Sequence, residues 1–424
     1  MTATANGAGA HGAGNHDMLS VSLDVSAVPT QPVGAGRYTI DLATALSARD
    51  DIALTLWCRR RDGSRWRQLR SATTSTVRPC APERRPIRLV WEQARFPALL
   101  GAASIDVHHG PHYTMPERAP LPRVVTIHDL TFLDHPEWHE RSKVIVFRRA
   151  IRMAARRADA IVCVSRRTAE RLGDLCAPTG RVFVIPHGVD HDRFRPEPPP
   201  VTAAGDRGSV SDDAMLERLG VRPPYVLFVG TLEPRKAVPN LVAAFDRVAA
   251  DHTDLSLVLA GQAGWGVEAV ERAIGQARFA GRVVRTGYVP DEAVPALLRR
   301  AAVVAYPALE EGFGLPALEA LACGTPLVTT SGTAMAEVSA GAAVLVPPGS
   351  VPELTEALVG VLDDGAGVAE RRRLGLEVAG RHTWGASAAD HVAAYRWAAR
   401  RTEPSPRGSS APGSFPPGPQ GGPR

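Results

Sequence analysis

Short apolar runs alternate with amphipathic segments along this 424-residue chain, and this alternation is what most constrains its fold. Helical patterns such as Tyr38–Ala48 and Val144–Ala158 separate the runs of the first half. Strands that alternate with helices form parallel sheets of the doubly wound α/β kind. The strands predicted in this half are Leu19–Val25, Ala53–Trp57, Ile105–His108, Val124–Ile127, Ala160–Val164 and Val182–Ile185.

A second series of the same kind follows a segment rich in proline, glycine and charge. Its predicted strands are Tyr225–Val229, Leu255–Ala260, Val283–Thr286, Val303–Tyr306 and Leu327–Thr330. Because the chain is too long for one ordinary core, we predict two domains, with a ligand between them at the carboxyl ends of the strands. The predicted organisation is residues 1–17 disordered, 18–194 first domain, 195–220 linker, 221–383 second domain, 384–401 an amphipathic helix, and 402–424 a disordered tail.

Composition narrows the functional classes. The five cysteines are scattered and form no C-x-x-C pair, which favours reduced thiols in a cytosol over disulfides or structural zinc. No apolar run reaches the ~18 residues that span a bilayer, and the N-terminus lacks the features of a signal peptide. We therefore expect a cytoplasmic protein. Met18 follows a Gly/Ala/His-rich segment and is a candidate for the natural start.

The net charge of +5 is distributed unevenly, because arginines concentrate in the first half. This pattern indicates either a solvated surface or a face that meets anionic lipid head groups. Nucleic acid is a weaker candidate, since no recognised binding module accompanies the charge. Only two lysines, Lys143 and Lys236, occur among the 49 basic residues.

The segment Glu311-Gly-Phe-Gly-Leu-Pro-Ala-Leu-Glu319 places one carboxylate in a glycine-rich turn and a second carboxylate eight residues later in a helix. Pro316 suits the first turn of that helix. Free amides in such a turn bind anions, so we expect the acids to contact sugar hydroxyls rather than phosphate. The segment predicts a site for a sugar joined to a phosphate.

A basic pair follows the strand Tyr225–Val229, in the loop Gly230-Thr-Leu-Glu-Pro-Arg235-Lys236. Loops between a strand end and a helix start bind phosphates in α/β folds. Arg235 can contact two oxygens, while Lys236 supplies a compact charge. The alternative is a solvated basic pair, but the rarity of lysine in this chain favours the phosphate site.

Candidate residues in the first domain also follow strand ends. The glycines of Gly34-Ala-Gly36-Arg37-Tyr38 permit close approach of a phosphate or an acceptor, although a tight turn explains them equally well. His128 ends a buried strand and points to the cleft, and His109 and His112 end the preceding strand. These histidines lack a carboxylate or cysteine partner, which argues against a metal site.

The sequence Asp190-His-Asp192 matches a short metal-binding pattern, but it lies near the linker and we interpret it as structural. We therefore predict no metal. A leaving diphosphate would be stabilised by Arg235, Lys236 and a helix N-terminus.

With these motifs the chain resembles the retaining GT-B glycosyltransferases of sequence family 4, from about Leu19 to Arg400. The most specific likeness is the E-x7-E motif from Glu311 to Glu319. Further matches are Gly230-Thr-Leu-Glu-Pro-Arg-Lys, Gly287-Tyr-Val-Pro, Ile185-Pro-His-Gly-Val-Asp and Val344-Leu-Val-Pro-Pro-Gly. Gly34-Ala-Gly-Arg-Tyr, Trp91-Glu-Gln and Thr126-Ile-His-Asp-Leu resemble the subgroup that contains many bacterial mannosyltransferases.

The resemblance implies two Rossmann-like domains that face a cleft, with a last helix that crosses back to the first domain. It implies that Arg235 and Lys236 contact the donor diphosphate and that Glu319 binds the ribose hydroxyls. Glu311 would lie against the transferred sugar, and His128 near the reaction centre. The other implied donor contacts are Gly230, Gly312, Phe313, the Gly314 and Leu315 amides, and Tyr288 and Val289 beside the base. Gly34, Gly36 and His109 are the candidates for an acceptor or phosphate loop.

The function expected from the resemblance is transfer of a hexose, with retention, onto a glycan or lipid-linked acceptor. GDP-mannose is the favoured donor, and glucosyl or N-acetylhexosaminyl transfer from a UDP- or ADP-sugar is the alternative. Same-face attack is favoured because no carboxylate is an obvious nucleophile. The alternatives of another class are a sugar-nucleotide epimerase and a non-catalytic glycan- or lipid-surface-binding protein. Two positions depart from the family pattern, namely Ala308 and His187.

Overall fold

The computed structural model describes residues 18–69, 75–197 and 211–400. The predicted disordered segments, 1–17 and 402–424, lie outside the described residues, and so does half of the predicted linker. Within the described ranges the chain forms two parallel sheets covered by helices, which confirms the α/β prediction.

The first sheet has seven parallel strands in the order β3-β2-β1-β4-β5-β6-β7. Six of these strands were predicted, because buried parallel strands are continuous apolar runs. The edge strand β3 was missed, since its sequence carries Arg78 and Pro79, and proline in a sheet is confined largely to edges. The strands are β1 Leu19–Asp24, β2 Ile52–Arg59, β3 Thr76–Ala81, β4 Val107–Gly110, β5 Arg123–Ile127, β6 Ala160–Cys163 and β7 Arg181–Val184.

Helices cover both faces of this sheet. The predicted helices at Tyr38 and Val144 each begin three residues earlier, and they bury side chains three and four positions apart, such as Tyr38, Leu42 and Leu46. The helices of the first domain are α1 Ala35–Ser47, α2 Gly63–Leu69, α3 Arg85–Ala94, α4 Phe96–Gly101, α5 Thr131–Asp134, α6 Arg141–Arg157 and α7 Arg166–Cys176.

The second sheet has six parallel strands in the order β10-β9-β8-β11-β12-β13. The strand order reverses between β1 and β4 in the first sheet and between β8 and β11 in the second, and such switch points are where open α/β sheets bind ligands. The strands are β8 Tyr225–Val229, β9 Ser256–Ala260, β10 Val283–Gly287, β11 Val303–Tyr306, β12 Leu327–Thr330 and β13 Val344–Val346. The helices are α8 Asp212–Arg218, α9 Val238–Val248, α10 Glu268–Gln276, α11 Val294–Arg300, α12 Leu315–Ala322, α13 Ala334–Ser339, α14 Val351–Asp363 and α15 Gly365–Gly380.

The predicted boundary of the linker needs correction, because α8 lies within residues 195–220 and packs on the second domain. Both oxygens of Asp212 accept hydrogen bonds from Arg299 on α11, at 2.7 and 2.6 Å. Leu216 is buried in the core of the second domain. The polar composition before Val221 therefore conceals a short helix of seven residues, and residues 195–220 are not a continuous linker.

The last helix, α16 Trp384–Arg400, returns to the first domain, as the sequence predicted. Ala388, Val392, Tyr395 and Ala398 are buried in the core of the first sheet. A chain of hydrogen bonds also fixes this helix, and its direction follows from one carbonyl group. The Ser387 carbonyl accepts from Nδ1 of His391 at 2.7 Å, so Nε2 of the neutral ring is the acceptor for the Tyr38 hydroxyl at 2.9 Å.

The remaining bonds of the chain take one direction as a consequence. The Tyr38 oxygen accepts from Thr126 at 2.8 Å, and Thr126 accepts from Nε2 of His109 at 2.8 Å. Nδ1 of His109 is then the acceptor for the Tyr395 hydroxyl at 2.7 Å. Burial keeps both rings neutral, since it lowers the pKa of His391 to about 4 and lowers that of His109 well below its usual value.

We expect Tyr38→Phe to destabilise the protein more than Tyr395→Phe. Tyr395 only donates, so its loss leaves one buried ring nitrogen unsatisfied, at a cost of ~1–3 kcal/mol. Tyr38 both donates and accepts, so its loss leaves two buried partners unsatisfied. Urea unfolding of the two variants gives the comparison, with Tyr225→Phe, whose hydroxyl donates to the Leu297 carbonyl in the second domain, as the control. An equal decrease in the free energy of unfolding for the two variants would contradict the two hydrogen bonds of the Tyr38 hydroxyl.

Candidate active site

Loops at the carboxyl ends of the strands of both sheets meet around a cavity of about 260 Å³, called here the central cavity. The first domain contributes Gly34, at the start of α1, and the strand-end histidines. The second domain contributes the glycine-rich turn and the basic loop that the sequence singled out. The lining residues used below are Gly34, His112, His128, Arg235, Glu311, Phe313, Gly314 and Leu315.

The glycine-rich turn is held directly against the first domain. A Cβ atom at Gly312 would lie 1.6 Å from the His128 carbonyl oxygen, so only glycine fits there. The Gly312 carbonyl accepts a hydrogen bond from Ser165 Oγ at 2.7 Å. Gly314 has a φ of 95°, and α12 begins at the next residue with Pro316 in its first turn, as predicted. The turn therefore presents the amides at a helix start to the central cavity.

Glu311 lies between two cations. It accepts a hydrogen bond from Nη1 of Arg235 at 2.8 Å and forms an ion pair with Lys236. Lys236 Nζ also donates to the Tyr306 hydroxyl at 2.6 Å. Burial alone would raise the pKa of Glu311, but the charges of Arg235 and Lys236 outweigh it and lower the pKa. Glu233 also pairs with Arg235, with its Oε2 3.3 Å from Nε, so two cations face two carboxylates, and an anionic ligand would compete with a carboxylate for the cations.

The sequence predicted both halves of this cluster but not their direct contact. Arg235 and Lys236 lie in a single 3-10 turn, Pro234–Lys236, after β8, and Glu311 follows β11. Because β8 and β11 are neighbours in the sheet, their carboxyl ends place the two loops side by side. Tyr306, the last residue of β11, was missed, although its position at a strand end is a usable signal.

A further cavity of about 320 Å³, called here the second cavity, adjoins the central one. Arg235 and Glu311 line both cavities, so the two form a continuous space. Five of the residues predicted to contact a donor line this second cavity, namely Gly230, Arg235, Lys236, Tyr288 and Val289.

Glu319 is buried on α12 and forms an ion pair that sequence reasoning did not find. Nη2 of Arg37, from the first domain, lies 2.7 Å from Oε1 of Glu319. The other oxygen, Oε2, is buried without a hydrogen-bond partner among the described residues. Burial raises the pKa of Glu319, and Arg37 only partly opposes this. Arg37 was visible in the Gly34-Ala-Gly36-Arg37 motif, at the start of a helix that faces the cleft.

The three candidate histidines differ in position. Nε2 of His128 donates to the Pro111 carbonyl at 2.8 Å, so Nδ1 carries the free lone pair at the central cavity. His112 also lines this cavity. The prediction that His109 contacts a ligand is not supported. Its ring is fully buried, with Nδ1 hydrogen-bonded to Tyr395 and Nε2 to Thr126. Its strand-end position was a misleading signal, since α16 covers it.

The two glycines of the first-domain motif also differ. Gly34 has a φ of 46°, lines the central cavity and has no atom within 4 Å of an added Cβ, which leaves space for a ligand. A Cβ at Gly36 would lie 3.2 Å from Pro29, so close packing explains this glycine in part.

The departures from the family pattern fit into the structure. His187 lines the central cavity and packs on Phe313, with ring centroids 4.4 Å apart. Ala308 is buried, and its carbonyl accepts from Thr330 at 2.6 Å. Asp190 accepts from the amides of Asp192 and Arg193 at 3.0 and 3.4 Å, which is the local structural role expected for the Asp190-His-Asp192 segment. In the described ranges, no group of three or more His, Cys, Asp or Glu side chains is arranged to hold a metal ion.

Comparison with known proteins agrees with this geometry. Residues 32–193 match the family described as Glycosyltransferase Family 4, and residues 223–364 match Glycosyl transferases group 1. A GDP-mannose-dependent alpha-(1-6)-phosphatidylinositol monomannoside mannosyltransferase from Mycolicibacterium smegmatis is 30% identical over 328 residues, which are 75% of this chain and 79% of the relative. The chain belongs to glycosyltransferase family 4. The protein is therefore a glycosyltransferase, and the alternative interpretations as an epimerase or a non-catalytic binding protein no longer apply.

Two other similar proteins extend the comparison. The O-antigen chain mannosyltransferase B of Escherichia coli is 28% identical over 293 residues, which are 68% of this chain and 74% of that protein. The Anabaena protein Alr3699/HepE, solved with UDP-glucose, matches with a TM-score of 0.65 and 19% identity, over 90% of this chain and 99% of the other. The arrangement of the two domains in this glycosyltransferase is the GT-B fold.

A bidentate ion pair closes the cleft of the glycosyltransferase on the side of α7. Nε and Nη2 of Arg167 donate to the two oxygens of Glu310 at 2.8 and 2.7 Å. Glu337 accepts from the backbone amides of Arg166 and Arg167 at 3.1 and 3.3 Å, so this carboxylate faces the N-terminus of α7. The domains therefore meet through specific polar contacts as well as through Gly312.

We expect Arg167→Glu to open the cleft, because it places like charges opposite Glu310 and beside Glu337. Small-angle X-ray scattering should show a larger radius of gyration for this variant than for the wild type. The double variant Arg167→Glu/Glu310→Arg should restore the wild-type value. Arg396→Glu, which breaks a surface pair with Asp51 away from the cleft, is the control. An unchanged radius for Arg167→Glu would show that the other contacts hold the domains closed without this pair.

Proposed function

We propose that this glycosyltransferase transfers mannose from GDP-mannose, with retention of configuration, to a hydroxyl group of a glycan or lipid-linked acceptor. The observation that carries the proposal is the contact of Arg235 and Lys236 with Glu311 in a cavity between the two domains. The preference for mannose rests on the two mannosyltransferase relatives, one of which is named as GDP-mannose-dependent.

The diphosphate of the donor would take over the cation contacts of Glu311. Arg235 and Lys236 would neutralise the leaving charge, with help from the amides of Gly314 and Leu315 at the start of α12. The unpartnered Oε2 of Glu319 would accept a hydrogen bond from a ribose hydroxyl. The base would lie beside Tyr288 and Val289. We infer that these side chains perform the charge neutralisation and that the nucleotide sugar is the only co-substrate, without a bound metal.

The chemical step would proceed on one face of the sugar. The bond from the anomeric carbon to the donor phosphate breaks, the acceptor oxygen bonds to the same face of that carbon, and the acceptor proton passes to a phosphate oxygen. Arg235 and Lys236 lower the pKa of Glu311, so this group is a carboxylate. Once the diphosphate binds these cations, Glu311 would accept a hydrogen bond from a hydroxyl of the transferred sugar. His128 would use its free Nδ1 in the same way. Positioning and electrostatics then supply most of the acceleration.

A UDP-sugar is the second candidate donor. The Anabaena neighbour was solved with UDP-glucose, and the side chains beside the base, Tyr288 and Val289, do not by themselves select guanine. Glucosyl or N-acetylhexosaminyl transfer is then the alternative reaction.

We propose that the first domain approaches an anionic lipid surface. The helices α3 and α6 expose the apolar side chains of Ile87, Val90 and Ile145 beside Arg84 and Arg85. Apolar side chains among arginines favour the interface of an anionic bilayer. None of the helices in the described ranges has the length and apolar character that a membrane crossing needs.

Release of nucleoside diphosphate identifies the donor. We expect slow release from one of GDP-mannose, UDP-glucose, UDP-N-acetylglucosamine and ADP-glucose in the absence of an acceptor. Lys236→Ala removes a charged contact worth ~1.5–3 kcal/mol, so binding of that donor should weaken roughly tenfold to hundredfold. Arg396→Ala is the control for a lost surface charge.

If no donor is hydrolysed, calorimetric binding of the same four nucleotide sugars replaces the release assay. Binding of none of them would contradict the donor site. Equal binding of one by the wild type and by Lys236→Ala would contradict the role of this lysine.

We expect Glu311→Gln to lower kcat roughly hundredfold, since it removes a charge beside the reacting sugar. Mass spectrometry of the intact wild-type enzyme during turnover should show no added hexose. An adduct of hexose mass on a peptide that contains Glu311, absent from Glu311→Gln, would replace same-face attack with a covalent intermediate. Glu353→Gln, which changes an exposed carboxylate on α14 away from the cleft, is the control.

A further inference from the structure

A cavity of about 460 Å³ lies wholly in the first domain, between the loop after β1 and the helices α3 and α6. This first-domain cavity borders the central cavity, because Ala35, His112, Lys143 and Phe147 line both. A molecule bound there could therefore extend to the reaction centre. The donor site uses none of the side chains that lie deeper in this cavity.

Arg88 is the most informative residue of the first-domain cavity. It is half-buried on α3 and makes no side-chain hydrogen bond or ion pair with any residue in the described ranges. Burial lowers the pKa of its guanidinium, and the nearby charge of Asp24 only partly offsets this. Most partly buried arginines in the described ranges have a carboxylate or a backbone carbonyl as partner, such as Arg37 with Glu319 and Arg148 with the Phe132 carbonyl. A half-buried arginine without one indicates that an anion from outside the chain binds here.

Two more cations line the cavity near Arg88. Arg85 lies one turn earlier on α3, with its guanidinium 5.3 Å from the ring centroid of Phe147. Lys143 lies at the border with the central cavity and pairs with Glu140 at 2.6 Å. Lys143 is one of only two lysines in the chain, and the other, Lys236, belongs to the donor site.

The carboxyl groups of the cavity do not cancel these charges. Burial raises the pKa of Glu92 to about 8, so this group is largely protonated at neutral pH. Burial also raises the pKa of Asp24, whose Oδ1 accepts from the Ser26 amide at 2.9 Å. Even with Asp24 ionised and Lys143 paired with Glu140, Arg85 and Arg88 leave the cavity a net positive charge, and its two acids can bond to neutral hydroxyl groups.

We propose that the first-domain cavity binds a phosphate ester of a polyhydroxylated acceptor. The phosphate contacts Arg88, Arg85 and Lys143, and the hydroxyl-bearing part extends past His112 into the central cavity. Asp24 and Glu92 bond to its hydroxyls. This inference rests on the proposed transferase function, for which it names the class of acceptor.

A phosphate fits this site better than a carboxylate. Guanidinium groups bind two oxygens of a phosphate at once, and a lysine adds a point charge. A phosphate ester offers three oxygens to the two guanidinium groups and the ammonium group, whereas a carboxylate offers only two.

The phosphate could belong to a soluble sugar phosphate or to a lipid head group. A groove of about 240 Å³ adjoins the cavity and shares Leu89, Thr114 and Val146 with it. Ile145, which is 71% exposed, lies on its lining. A lipid ester would place its phosphate at Arg88 and its chain in this groove.

Calorimetric binding of glucose 6-phosphate, compared with glucose, tests the phosphate site. The Lys236→Ala enzyme serves as the background, because it weakens the other phosphate site. We expect the ester to bind at least tenfold more tightly than glucose, since a charged contact is worth ~1.5–3 kcal/mol. Arg88→Gln should abolish this preference, Arg88→Lys should retain part of it, and Arg396→Gln, the matched loss of an exposed charge on α16 outside the cavity, should leave it unchanged.

Co-sedimentation with vesicles distinguishes the two sources. Binding to phosphatidylglycerol vesicles that Arg88→Gln loses and Arg396→Gln retains identifies a lipid phosphate, and an Arg88-dependent preference for glucose 6-phosphate alone identifies a soluble ester. If Arg88→Gln and Arg396→Gln behave alike with both probes, the proposal is wrong. Binding of the four nucleotide sugars, measured in parallel on the Arg88→Gln enzyme, shows separately whether the donor site stands.

Discussion

The contact between Gly312 and the His128 carbonyl sets the geometry on which the rest of the site depends. No side chain fits between the two domains at this point, and Ser165, also of the first domain, donates to the Gly312 carbonyl. Glu311 precedes this contact by one residue, and Gly314 opens α12 two residues after it. The position of the carboxylate and of the helix amides is therefore fixed relative to the first domain as well as to their own sheet. A bulkier residue at 312 would separate the domains and move both groups away from His128.

Charge balance explains why the site can release an anion as well as bind it. With Glu311 paired, Arg235 and Lys236 are satisfied within the protein, so the buried cations need no ligand to remain stable. A donor diphosphate replaces one carboxylate by a stronger anion, and after transfer Glu311 can take the cations back. Glu319 has a similar arrangement, because Arg37 pairs with Oε1 and the buried Oε2 has no hydrogen-bond partner among the described residues. Arg37 belongs to the first domain, so the carboxylate proposed to hold the ribose is positioned only when the cleft is closed.

Much of this arrangement follows from the sequence, because parallel strands are continuous apolar runs and ligands bind where such strands end. Arg235, Lys236 and Glu311 could be placed at one site for that reason. The edge strands β3 and β13 were missed, since an edge strand needs no continuous apolar run, and α8 was hidden by the polar sequence around it. Arg37 and Arg88 were missed for a different reason. Their significance depends on partners far away in the chain, a carboxylate for Arg37 and none for Arg88, and no local pattern reports that. His109 shows the converse, since a strand-end residue loses its access when α16 covers it.

The return of α16 to the first domain links the stability of that domain to the geometry of the cleft. Its hydrogen-bond chain passes through Tyr38, the residue that follows Arg37 on α1. Tyr38 also packs edge-on against His128, with ring centroids 4.9 Å apart, and against His187. A shift of α16 would therefore move Tyr38, and with it the start of α1 that carries Gly34 and Arg37 into the cleft. Because α16 follows the second domain along the chain, the core of the first domain is completed by residues from beyond the second domain.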